Sequence, residues 1–392
     1  MSSGGEVFGV QGFSRPFRTF PSAVDVVVIG AGFAGASTAA ALARSGMRDG
    51  LVLEREALAG SHASGRNAAM ARQLESDLVL GRLTVEGVRR LRARFVNGRP
   101  VLRQTGGLYL GHEHDPVRGR QWISQLAAHD IPAELLPVDE ARKRFPFLCM
   151  FEFDFAIFCP TDGVVDIHAL LADLMRKARE GGFDTVTNCV VESFVMEGAV
   201  VRGVRTSRGE IRARIVIDAT GAWSGRLGRA TPLPLKCYRR HLFFGGPLGI
   251  IPRDAPLVWD LDAGYYVRTE GAGLLMCPCD ESEHPPGIPS VDSDVTDLLA
   301  DKLLRHAPGL SAVTLRRSWA CLRTFAPDRR PVIGWDPCTY GLFHVSGLGG
   351  FGVTTSLAVG EVAASVINNA ALSWVDVGCF GAGRTALLSQ GR

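Results

Sequence analysis

The residues whose types and spacing most directly suggest chemistry are Gly30, Gly32 and Gly35, in Gly30-Ala31-Gly32-Phe33-Ala34-Gly35, together with Glu54. Glycines at that spacing let backbone N–H groups approach a pyrophosphate at a helix N-terminus, and an acid about twenty residues on accepts hydrogen bonds from a ribose. A dinucleotide site is expected, with an ordinary strand-to-helix turn as the alternative, and the motif alone leaves NAD and FAD both open. Three further segments bear on that choice. Gly60-Ser61-His62-Ala63-Ser64-Gly65-Arg66-Asn67-Ala68-Ala69 offers an arginine and small polar groups to diphosphate oxygens. Ala219-Thr220-Gly221-Ala222-Trp223-Ser224 reads as a strand end and a glycine turn, and Val345-Ser346-Gly347-Leu348-Gly349-Gly350-Phe351-Gly352-Val353-Thr354-Thr355 as a strand running through a glycine nest into a helix. Two other clusters promise less. Cys277-Pro278-Cys279 lacks the spacing and the second pair of a metal site, so no metal is expected. His112 and His114 would share one side of a strand, but the turn residues around them favour a solvated loop.

These residues need a particular set of elements to position them. Ala23 to Ile29 is a β-branched run of the kind buried on both faces of a parallel sheet, Ala36 to Ser45 is alanine-rich and helical, and Gly50 to Glu54 reads as a second strand. Glycine motif and acid thus fall at the turn and end of a βαβ unit. Beyond it, helices are expected over 84–95, 166–179, 295–306 and 354–369, with short strands through 186–217 and 235–320.

The rest of the composition narrows the class. With 392 residues, 46% of them apolar, the chain can bury a large core. The 43 basic and 40 acidic side chains nearly cancel and form no run, which argues against nucleic acid. Only four of the basic residues are lysines (Lys143, Lys177, Lys236 and Lys302), so an arginine carries little meaning until its neighbours support it. Nine scattered cysteines suggest reduced, buried thiols. The first 22 residues lack the apolar run of a signal peptide and no later stretch is long enough to span a membrane, so a cytoplasmic protein is expected.

Taken together, the four ordered motifs resemble the D-amino-acid oxidase type of flavoprotein, which includes glycine oxidase, sarcosine oxidase and D-arginine dehydrogenase. The resemblance runs from Val24 to about Ile367. It implies FAD, with Gly30, Gly32, Phe33, Ala34, Gly35, Glu54 and Arg55 around the ADP half. Ser64, Gly65, Arg66, Asn67, Ala69 and Met70 would lie along the pyrophosphate and flavin, the Val191 backbone at the adenine, and Thr220, Gly221 and Trp223 beside them. Gly347, Leu348, Gly349, Gly350, Phe351, Gly352, Val353 and Thr354 would sit under the pyrimidine edge, where a helix N-terminus stabilises the charge of reduced flavin. Arg323 would bind a substrate carboxylate, Arg240 would be a second contact to it, and Tyr266 would cap the site. Cys321 falls where sarcosine oxidase carries a covalent flavin link, but a non-covalent flavin is the favoured expectation.

The chain also departs from these relatives. Gly98 and Arg99 stand where D-arginine dehydrogenase holds its cationic substrate with a glutamate, and Met70 replaces a histidine, so a neutral or apolar substrate is expected. Leu275 occupies the place of the oxygen-activating lysine of sarcosine oxidase. The expected fold is α+β. Residues 22–76, 161–229 and 322–392 would form a discontinuous FAD domain, 77–160 and 230–321 a substrate domain on a mixed sheet, and 1–21 a flexible arm. The expected activity is oxidation of a D-amino acid or related amine by hydride transfer from the α-carbon to flavin N5, giving an imine that hydrolyses. An N-methyl amino-acid oxidase and a non-enzymatic FAD-fold binding factor are the alternatives. The electron acceptor stays open between oxygen, a quinone and another carrier.

Overall fold

The computed structural model describes residue 9 and residues 20–113, 116–227, 233–247 and 249–388. The expected N-terminal arm falls almost wholly outside the described residues, as does His114. Strand β1 (Ala23–Ile29) ends in four consecutive buried residues, as a strand covered on both faces should. Helix α1 (Phe33–Arg44) starts at Gly32 with no capping side chain and buries most of its small residues. Strand β2 (Gly50–Leu53) is buried throughout. Helix α2 (Leu78–Arg92) begins six residues before the expected start because the Asp77 carboxylate accepts the N–H groups of Val79 and Leu80.

Next come β3 (Gly107–Gly111), a helix over Val117–Ala127 that the sequence pattern did not reveal, and β4 (Phe155–Cys159). Helix α3 (Ile167–Glu180), capped by Asp166, lies where it was expected. It is followed by β5 (Phe183–Val186), β6 (Val191–Glu197), β7 (Val200–Thr206) and β8 (Gly209–Asp218). The second half holds β9 (Lys236–Gly245), β10 (Leu257–Asp260), β11 (Tyr265–Glu270), β12 (Gly273–Cys277) and α4 (Ser293–His306). It closes with β13 (Leu315–Phe325), β14 (Val332–Trp335), β15 (Leu342–Ser346) and α5 (Ser356–Ile367).

Two large sheets organise these elements, and the class is α+β. The first has the order β5-β2-β1-β8-β7-β6, with β15 on β8 and β14 on β15. Its core pairs, β5 with β2, β2 with β1, β1 with β8 and β8 with β15, are parallel. The second runs Ser282–Glu283, β9, β12, β11, β10, β3, β4, Glu134–Pro137, with β13 on β9; it is antiparallel except for β10 on β3. Helix α1 packs on the first sheet between α3 and α5. Helix α2, which the expected division gave to the substrate domain, packs on α5 instead and shares the core of the first sheet's helices. The second sheet is two-sided: one face carries Leu108, Phe243, Val258 and Met276 into a closed core, and the other presents Leu242, Tyr266, Leu275 and Cys321.

Candidate active site

The turn after β1 has the form its glycines demand. Gly30 has φ +103°, a conformation open to glycine and strained for other residues. A Cβ at Gly35 would stand 1.9 Å from the Gly30 carbonyl oxygen, so the third glycine serves the contact of α1 with β1. Glu54 is buried at the end of β2; its two carboxylate oxygens accept the N–H groups of Ala31 and Glu56, each at 2.9 Å. Burial raises its pKa, against the opposing pull of those N–H groups. Ser64 Oγ accepts the Phe33 N–H at 2.9 Å and so joins the Gly60–Ala69 segment to the helix start.

One cavity is lined by all of these regions and by the second sheet. Gly30, Gly32, Phe33, Ala34, Glu54, Arg55, Ser64, Arg66, Asn67, Ala69 and Met70 line it, as do Val191, Thr220, Gly221 and Trp223. So do Gly347, Leu348, Gly349, Gly350, Gly352, Val353 and Thr354 of the nest. Four residues expected at the cavity do not line it: Gly35, Gly65, Phe351 and Arg240. Gly35 is consumed by helix packing, and Gly65 donates its N–H to the His62 carbonyl within the chain reversal. The Phe351 ring lies against the Arg72 guanidinium at 4.3 Å. Asn67 does not offer its amide to a ligand, since its Oδ1 accepts the Ala69 N–H at 2.7 Å and holds Ala69 at φ +55°.

The donor set fits FAD on the structure's own terms. Gly347 and Gly349 have φ +67° and +55°, which opens the nest, and α5 starts behind it without a side-chain cap. Two uncapped helix starts, those of α1 and α5, therefore meet the same cavity, a favourable place for anionic oxygens. At the Glu54 end, Arg55 lies 4.9 Å over the Trp223 ring, whose other neighbour is His62 at 4.7 Å.

The remaining wall comes from the second sheet. Tyr266 is fully buried, packs its ring at a tilt of 34° against Trp259 with centroids 4.8 Å apart, and has a hydroxyl without a hydrogen-bond partner among the described residues. Arg323 lines the cavity close to Gly350, where an added Cβ would meet its guanidinium at 3.0 Å. Among the described residues it makes no hydrogen bond and no ion pair. Arg240, expected as a second carboxylate contact, does not line the cavity, and its guanidinium donates to Glu281 at 2.8 Å. Cys321 lines the cavity, and burial pushes its thiol up to about 11, so it stays protonated. Met70 and Leu275 join Leu242 and Tyr266 in an apolar cluster, as expected.

Other expectations change. Gly98 and Arg99 belong to an exposed hairpin, Phe95–Val96 on Arg99–Pro100, with Asn97 and Gly98 at φ +51° and +75°, and do not line the cavity. They bear on hairpin shape, not on substrate charge. His112 is not a solvated loop residue, because its Nε2 lies 2.8 Å from the buried Asp260 carboxylate. Arg72 was missed altogether. It lines the cavity, its guanidinium held between Trp259 at 4.5 Å and Phe351, but one arginine among so many gave no signal in the sequence.

A parallel βαβ sheet and an antiparallel sheet close on one cavity, with FAD-compatible donors on one side and Arg323 on the other, which is the fold and site of an FAD-binding protein. The chain belongs to the FAD dependent oxidoreductase family (DAO), whose pattern matches residues 25–366. It is similar to human mitochondrial sarcosine dehydrogenase, at 25% identity over 90% of this chain and 40% of that protein. The mouse mitochondrial pyruvate dehydrogenase phosphatase regulatory subunit matches at 24% identity, over 87% of this chain and 41% of that protein. The chain thus spans about two fifths of the length of these curated relatives. Among solved structures, L-proline dehydrogenase from P. horikoshii shares the fold with a TM-score of 0.81, at 24% identity over 93% of this chain and 98% of that one. Among the described residues no helix is long and apolar enough to cross a membrane.

Proposed function

We propose that the chain oxidises the carbon–nitrogen bond of a small amine that carries a carboxylate, either a D-amino acid or an N-alkylated amino acid, with an apolar side chain. The observation that carries this reading is Arg323, a cavity-lining guanidinium that no carboxylate among the described residues satisfies. A planar fork of that kind pairs bidentately with a carboxylate, and the Tyr266 hydroxyl, without a hydrogen-bond partner among the described residues, would donate to the same anion. FAD, when bound, supplies the acceptor for two electrons and a proton.

The chain's own residues bind and orient. Arg323 and Tyr266 fix the carboxylate end, while Met70, Leu242 and Trp259 provide a dry wall that excludes water from the reacting carbon. Among the described residues the wall at this end carries no carboxylate and no lysine, so the amine enters in its neutral form. Loss of the α-hydrogen as hydride and of the N–H proton leaves an imine, which water cleaves to a carbonyl compound and an amine. The likeness to proteins named for sarcosine and L-proline, both secondary amines, supports an N-alkylated substrate.

The test is an anaerobic screen of D-, L- and N-methyl amino acids for bleaching of the bound flavin, followed by measurement of hydrogen peroxide with oxygen as sole acceptor. Bleaching by N-methyl or cyclic amino acids favours the secondary-amine form and bleaching by D-amino acids the other. No bleaching by any of them overturns the enzymatic reading and leaves a binding role, for which the likeness to a regulatory subunit speaks.

A further inference from the structure

Behind the sheet face that lines the cavity stands a polar cluster that the proposed chemistry leaves unused. Asp260 ends β10 directly after Trp259, and strand alternation turns it away from the cavity that Trp259 lines. Its carboxylate is fully buried. Oδ1 accepts the N–H groups of Asp262 and Ala263 at 3.0 and 2.8 Å, and Oδ2 lies 2.8 Å from His112 Nε2. Among the described residues no arginine or lysine pairs with it. His306, the last residue of α4, sets its ring edge-on to that of His112 with centroids 5.1 Å apart. One ligand atom from each of His112, Asp260 and His306 lies within 4.8 Å of the other two.

We propose that His112, Asp260 and His306 form a structural site for one divalent metal ion of the zinc class. A buried carboxylate is costly unless a positive charge compensates it, and among the described residues no arginine or lysine does so here. A divalent cation between the three would. Two imidazole nitrogens and one carboxylate oxygen suit zinc and its transition-metal neighbours, not magnesium or calcium, which prefer all-oxygen shells. Ligands of a tetrahedral zinc stand roughly 3.3 Å apart. Closure from the present spacing therefore needs a small movement of the part-exposed rings, and water completes the shell from the open side.

Neighbouring groups already hold the two histidines in position. His112 donates its backbone N–H to Asp262 at 2.8 Å, and the Tyr265 hydroxyl donates to the His306 carbonyl at 3.1 Å. The ion would tie the end of β3, the β10–β11 turn and the end of α4 together. It would thereby brace from behind the two strands that carry Trp259 and Tyr266 into the cavity.

The experiment uses tag-free, flavin-loaded protein, stripped with a chelator and dialysed against Zn²⁺, with metal analysis and thermal melting as readouts. One tight equivalent per chain and a rise in Tm with Zn²⁺, but not with Mg²⁺, are expected. His112→Asn and His306→Asn should each weaken Zn²⁺ binding at least ~10-fold. The double variant should lose the Tm shift while keeping its flavin absorbance, and the surface variant His284→Asn should behave as the parent. Absence of zinc from the parent protein overturns the proposal. So does a double variant with unchanged zinc content and Tm shift, which would assign the metal to thiols such as the exposed Cys149 and Cys338.

Discussion

Arg323 and Cys321 lie two residues apart on β13 and meet the same cavity, yet opposite outcomes are expected when each is changed. Removing the guanidinium in Arg323→Ala takes away charge-assisted hydrogen bonds of about 1.5–3 kcal/mol, so kcat/KM should fall ~10- to 100-fold while the flavin spectrum is kept. Arg323→Lys should recover only part of the loss, because a point charge cannot reproduce the fork. Steady-state kinetics on whichever amine bleaches the flavin decides it, and unchanged kinetics in Arg323→Ala would remove the basis of the substrate assignment. Cys321 is held as a thiol by burial and so lacks the thiolate character that attachment to the flavin requires. Acid precipitation should accordingly release all the flavin into the supernatant, and Cys321→Ser should bind as much flavin as the parent. Yellow colour retained in the pellet would show a covalent bond.

Among the elements, the packing of α1 on α5 holds the two helix starts that face the cofactor. A Cβ at Gly360 of α5 would stand 2.4 Å from the Ser37 carbonyl oxygen of α1, a backbone atom that cannot move aside without shifting the helix. Gly360→Ala should therefore destabilise the protein by about 1–3 kcal/mol despite the better helix propensity of alanine. It should also weaken flavin retention, since the nest ahead of α5 moves with it. Denaturant melts of the flavin-loaded variant, with fluorescence of released flavin as a second readout, check both parts. A variant as stable as the parent would mean that the helices have room to separate. Helix α2 makes the same point, because a Cβ at Gly87 would lie 2.1 Å from the Thr354 carbonyl oxygen at the end of the nest.

At the scale of the molecule, the core of the first sheet contains a buried charge group that joins β8 to β15. His344 is fully buried, with Nε2 2.9 Å from Asp336 and Nδ1 3.4 Å from Asp218. Burial pulls the imidazolium toward neutrality, but the hydrogen bonds and charges of the two carboxylates outweigh it and raise its pKa to about 9. Asp218 also accepts hydrogen bonds from Thr220 and Ser224, so the group anchors the turn that lines the cavity. A folded-state pKa above the unfolded value of about 6.5 gives stability that is complete below pH ~6.5 and is lost as pH rises through 9. Asp218 and Asp336, both held below the ordinary carboxylate range, contribute in the opposite direction, with stability lost on acidification. Tm should decline from pH 6.5 to 9.5 in the parent and be flatter across that range in His344→Gln. Equal slopes in the two proteins would show that His344 is neutral in the fold.

What is local and made by backbone was legible in the residues alone. The βαβ start, the Gly30–Gly35 turn, Glu54 at the next strand end and the Gly347–Gly352 nest could be read because glycine spacing, strand composition and helix onset lie within a few dozen consecutive residues. Which of many like side chains come together was not legible there and emerged from the packing of the fold. Arg323 and Arg72 reach the cavity while Arg240 is held back by Glu281, and His112 meets Asp260 and His306 across nearly two hundred residues of chain. A charged side chain acquires a role from the partners that burial forces upon it, and those partners arrive by strand pairing and helix packing over separations where a residue's type carries no record of its neighbours.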